Sequence, residues 1–114
     1  MLKQRREAAQ LVASRLFALE DAIDTALACA AHFTATMPVA RKNANLSAVI
    51  GQDAVALSAE IVSCLVQARG RMVEAHARLD VTKTQIGLRE ISLGDVLDKP
   101  ELTGRSDSGL RAVA

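Results

Sequence analysis

TALACAAHFTATMPVA, residues 25–40, is the longest run of the chain without a charged side chain, and its reading decides the fold. Three readings compete: a membrane span, a cysteine box for a lipid or metal, and the face of a helix that meets another helix. The run is 16 residues long and contains His32 and three threonines. A spanning helix needs roughly 20 predominantly apolar residues. Lys3, Arg5 and Arg6 followed by ALAC at 26–29 have the outline of an export signal. The segment between them carries Arg15, Glu20, Asp21 and Asp24, which no apolar signal core contains. The expectation is therefore a cytoplasmic chain with no membrane contact.

Outward from this run the spacing is helical. At intervals of seven stand Leu2, Ala9, Leu16, Ile23, Ala30 and Met37, and three residues after them Arg5, Val12, Leu19, Ala26 and Phe33. That is an a/d seam sustained over five heptads. The composition agrees: 50% of residues are apolar, 2% are aromatic, and alanine supplies about one in five. The first proline is Pro38, which predicts a helix over 2–37 that ends there.

A connector, PVARKNANLS at 38–47, precedes a second helix over 47–87, capped by Asn45 or Ser47. Its seam reads Leu65, Met72, Leu79 and Ile86, interleaved with Ile61, Ala68, Ala75 and Thr82. Gly51 marks a break after a first turn, Gly70 allows close packing, and Gly87 ends the helix. Beyond it, 88–114 loses heptad order and gathers Gly, Ser, Pro and Asp. Leu88, Ile91, Leu93, Val96 and Leu97 give this tail apolar anchors up to about residue 100, with mobility increasing toward the end. The fold class is all-α: one long antiparallel helical hairpin domain, 1–87, and a partly docked tail.

A lone hairpin has one seam, too little burial to offset the entropy of ordering two long helices. A second copy supplies the rest, and the charge pattern says where. Residues 25–66 carry four charges, Arg41, Lys42, Asp53 and Glu60, against eight in 1–24 and six in 67–83. The loop-proximal half is thus the expected oligomer interface of a homodimeric four-helix bundle. Its residues are Leu27, Phe33, Met37, Val55, Leu57, Ile61, Val62, Leu65 and Val66. A hairpin closing near residue 42 sets 26–37 against 47–58 and gathers basic residues at the other end. There Arg5, Arg6, Arg15, Arg69, Arg71 and Arg78 form a candidate docking site for an acidic partner or phosphate.

The chemistry-bearing residues do not converge in this frame. Cys29 and His32 share a helix flank but make only two ligands, with Cys64 and His76 opposite residues near 20 and 8. Glu20, Asp21 and Asp24, with Glu60 across the hairpin, fall outside both seams, and no Glu-x-x-His pair is present. Phosphate-binding glycine loops, nucleophile elbows and zinc-finger spacings are absent from the sequence. Net charge is +1, which gives no global attraction to nucleic acid. No metal, cofactor or catalytic residue is expected. The expected function is a non-enzymatic interaction module: an adaptor, scaffold or small helical chaperone for a protein partner. Binding of an anionic ligand or nucleic-acid phosphates at the arginines is the alternative, and a small helical enzyme using them comes third.

Overall fold

The structure, a computed structural model, describes residues 1–88. Those residues are all-helical: α1, Leu2–Asn43, and α2, Gln52–Gln85, joined as a hairpin, with no strand among the described residues. The expected tail lies outside the described residues except for Leu88, which is buried.

α1 runs six residues further than expected, because Pro38 sits inside it. Proline removes one bond to the carbonyl four residues back, here Thr34, and costs about 3 kcal/mol in a helix interior. That local cost is outweighed where the following turn is otherwise well held. Met37 and Arg41 continue the half-buried stripe past it. The helix then closes in a Schellman motif: the Leu46 N–H donates to the Arg41 carbonyl and the Asn45 N–H to the Lys42 carbonyl, both at 3.1 Å. Asn45 has φ 57°, so it terminates α1 and does not cap α2. Asparagine is one of the few residues that enters this left-handed region readily.

The start of α2 is set by Gly51, at φ 79°, whose carbonyl accepts the Val55 N–H at 3.0 Å after a turn over 47–50. Its end repeats the device at the end of α1. Gly87 has φ 88°, with Leu88 N–H to Lys83 carbonyl at 2.9 Å and Gly87 N–H to Thr84 carbonyl at 3.1 Å. Gly70 differs from expectation, since a Cβ there meets nothing within 4 Å and the residue serves no close contact.

The described residues form two compact units, Phe17–Ala77 and one comprising Met1–Leu16 with residues 78–88. In the first, α1 offers Glu20, Ile23, Leu27, Ala30, Thr34 and Met37 to the seam; α2 offers Val55, Ser58, Val62, Leu65, Met72 and His76. Successive members lie three and four residues apart on α1, a heptad seam. Only Phe17, Ser58 and Met72 of this unit are buried. In the second unit Ala13, Leu16 and Leu88 are buried, with Ala9, Leu79, Lys83 and Ile86 half-buried.

Half of the expected seam is therefore corrected. The sevenfold sets through Leu16, Ile23, Ala30 and Met37, and through Leu65, Met72 and Leu79, do face inward. Their companions come four residues later on α1, at Glu20, Leu27 and Thr34, and not three. Leu19 and Phe33 are 50% and 56% exposed, and Ile61 is 51% exposed. An apolar stripe of heptad period does not declare which way it points when the helix carries two of them.

Candidate functional site: the two sides of the helix pair

Within Phe17–Ala77 the cross-hairpin contacts fix the pairing. The Thr34 hydroxyl donates to Ser58 Oγ at 2.9 Å, and Ser58 donates to the Val55 carbonyl at 2.8 Å. Arg69 Nε donates to Asp24 Oδ1 at 2.8 Å, and His76 Nδ1 lies 3.3 Å from Glu20 Oε2. The His76 ring also meets Phe17 edge-on, centroids 6.2 Å apart. The hairpin thus folds about residues 46 and 47, not near 42. This moves the acidic cluster: Asp24 faces Arg69 and Glu20 faces His76, where Glu60 was expected. It also corrects the placement of Glu20, which is half-buried in the seam and not outside it.

The two long sides of this unit differ in chemistry. Antiparallel helices are related by a local two-fold axis perpendicular to the plane of the pair, so positions with the same offset from the seam emerge on the same side. Residues that follow an inner seam residue, Phe17, Asp24, Val66 and Val73, lie on one side, together with Arg69 and His76. Residues that precede one lie on the other: Leu19, Ala26 and Phe33 on α1, and Ile61, Ala68 and Ala75 on α2. Flanking them are Ala22, Cys29, Leu57 and Cys64. From Leu19 to Phe33 and from Ala54 to Ala68 none of these positions is charged. Each helix thus carries a second stripe at alternating spacings of three and four, and its large members are half to two-thirds exposed, Leu57 reaching 62%.

The residues expected at an oligomer interface divide accordingly. Leu27, Met37, Val55, Val62 and Leu65 are half-buried in the seam of the hairpin itself. Phe33, Leu57 and Ile61 stand exposed on the uncharged side, and Val66, 53% exposed, stands on the side of Asp24. Sequence reasoning assigned Cys29 and Cys64 to distant levels. The pairing of Thr34 with Ser58 and of Asp24 with Arg69 sets the two exposed cysteines level with each other on the uncharged side.

The six arginines have separate surroundings. Arg69 is tied to Asp24, and Arg71 Nη1 lies 3.5 Å from Glu74 Oε2. Arg5 Nη1 donates to the Ile86 carbonyl at 3.1 Å, satisfying the last turn of α2. Arg6, Arg15 and Arg78 are exposed. Arg69 and Arg71 belong to one compact unit and the other four to the second.

Among the described residues no three His, Cys, Asp or Glu side chains gather as a metal site would require, and no helix is long and apolar enough to cross a membrane. The clefts are open grooves. One of about 490 Å³ runs along α1 past His32, Thr36 and Val39. Another, about 460 Å³, lies under the connector, lined by Met37, Arg41, Leu46, Ile50 and Val55 among others. Neither brings together an acid, a base and a nucleophile. Comparison with protein-family models, with curated proteins and with solved structures finds no match.

Proposed function

We propose that this chain is a non-enzymatic, oligomeric interaction module, in which two hairpins pack through their uncharged sides into a four-helix bundle. The bundle then serves a protein partner as an adaptor, scaffold or small helical chaperone. One observation carries the reading: besides the stripe spent on the hairpin, each helix of Phe17–Ala77 bears a second heptad stripe, uncharged from Leu19 to Phe33 and from Ala54 to Ala68, whose large members Leu19, Phe33, Leu57 and Ile61 are exposed. A helix apolar on two adjacent stripes is the pattern of a bundle member with two neighbours. The sparse interior supports it as well, since three buried residues do not make a core for a unit of this length.

The test is multi-angle light scattering of the full chain at low micromolar concentration. The expected mass is twice 12.1 kDa. A helical, cooperatively melting monomer overturns the reading. Phe33→Asp places a carboxylate in the proposed interface and abolishes the dimer, whereas Arg5→Asp leaves its mass unchanged.

A further inference from the structure

The uncharged side is graded along its length, and the gradient specifies how a second copy sits on it. At the connector end stand Phe33, Leu57 and Ile61; about two to four turns further along stand Ala22, Ala26, Ala68 and Ala75, with Leu19 and Arg71 the large members there. We infer that the occupant is a second copy turned end for end, related by a two-fold axis that crosses the face at the level of Cys29 and Cys64. The two connectors then lie at opposite ends of the bundle. This rests on the self-association proposed above and adds its symmetry.

Two face-to-face arrangements have two-fold symmetry. If the axis runs along the helices, both connectors share one end. Phe33, Leu57 and Ile61 of one copy then meet the same three residues of the other, while alanines meet alanines beyond. Such a stack is overfilled at one end and hollow in its middle, and both faults cost stability. If the axis crosses the helices, the bulky end of each copy lies over the alanine-rich end of the other. Phe33, Ile61 and Leu19 then oppose the partner's Ala26, Ala68 and Ala40, and only Leu57 meets a large residue, Arg71, so most of the contact sets large side chains on small ones, which favours even interdigitation.

Charge favours the same choice. Arg71 is the one charged residue on the stripe between Ala54 and Ala75. Connectors together bring two Arg71 side chains to one level. Connectors apart separate them and carry each to the level of the partner's Leu57, within about one turn of the partner's Glu60. The size of the face is adequate too. From Leu19 to Ala40 it is about 30 Å long, and two helices side by side are about 20 Å wide. That footprint of roughly 600 Å² is of the order of the ~800 Å² of accessible surface per partner buried in a stable complex.

The experiment uses spin-label distances in the full-length dimer. Val49, 76% exposed in the connector, is changed to Cys in a chain carrying Cys29→Ala and Cys64→Ala. The connector lies about 25 Å along the helices from the proposed axis, so the inter-subunit distance between labels is about 50 Å; connectors at one end give about 20 Å. A label on Cys29 in a Cys64→Ala chain gives less than about 20 Å if the axis passes where we place it. A short distance at residue 49, or a long one at Cys29, overturns the inference while leaving the dimer itself intact. A monomer in light scattering overturns the self-association reading and this one with it. The unmodified chain gives an independent check: a short bismaleimide joins Cys29 to the partner's Cys29 and Cys64 to the partner's Cys64 in the covalent dimer. Joining Cys29 to the partner's Cys64 marks connectors at one end and refutes the proposal.

Discussion

The two sides of the helix pair over Phe17–Ala77 carry opposite solutions to the same problem. On one, Asp24 and Arg69 close an ion pair over the seam, Glu20 meets His76, and Phe17 folds under the imidazole. The charged groups of that side find partners within the single chain, while its Val66 and Val73 stay exposed. On the other, Leu19, Phe33, Leu57 and Ile61 project with nothing from the described residues to cover them. The difference teaches that charge on a helix flank need not mark function, and that its absence is the more informative signal. Salt bridges between half-exposed groups contribute little, whereas an apolar flank left open retains the whole driving force of its burial.

Substitutions on the two sides should therefore separate cleanly. The largest effect is expected on the open side. Phe33→Asp, acting twice per dimer, weakens association at least a thousand-fold, about 4 kcal/mol, measured by sedimentation equilibrium. Next comes the shared seam between the sides: Met72→Ala removes a buried side chain and lowers unfolding free energy by about 2–5 kcal/mol in urea titrations. Gly70→Ala fills only solvent and raises stability by about 0.8–1 kcal/mol, seen as a higher melting temperature. The smallest effect belongs to the ion-paired side. Asp24→Asn costs less than about 1 kcal/mol, and the loss disappears when the comparison is repeated in 1 M salt. A large, salt-insensitive effect of Asp24→Asn contradicts the assignment of the two sides.

Much of the fold was legible in the residue spacing. Both helices, their antiparallel pairing, the inward-facing sets through Leu16 and Leu65, and the terminating role of Gly87 follow from period and turn chemistry alone. The second stripe was legible as apolar but not as outward-facing. Val12, Leu19, Ala26 and Phe33 repeat every seven residues as faithfully as the inner set does, while the inner set hides polar members. Glu20, Thr34, Ser58 and His76 weaken the inner signal because each has found a hydrogen-bonding partner that only the folded pair supplies. The end of α1 was misplaced for a related reason. Pro38 is a strong local stop, and Asn45 a weaker one, but the stripe through Met37 and Arg41 and the closure at Leu46 decide between them. The level of the hairpin followed from that error. With α1 ending six residues later, every cross-helix neighbour shifts, and with them the placements of Asp24, Arg69 and the two cysteines.

The hydroxyl pair of Thr34 and Ser58 has a consequence for how the two helices find each other. A heptad seam allows one helix to slide along the other in jumps of seven residues, each leaving apolar side chains against apolar side chains. A jump that takes Ser58 away from Thr34 sets it against Leu27 on one side or Arg41 on the other, and leaves the Thr34 hydroxyl against Leu65 or Gly51. In either shifted setting each hydroxyl keeps a carbonyl of its own helix, Ala30 for Thr34 and Val55 for Ser58, so the slide costs the cross-helix bond itself, about 0.5–1.5 kcal/mol. The neighbouring notches of the slide are thus disfavoured by about the worth of that one bond, and two small polar side chains bias toward one setting a mechanism that otherwise has several.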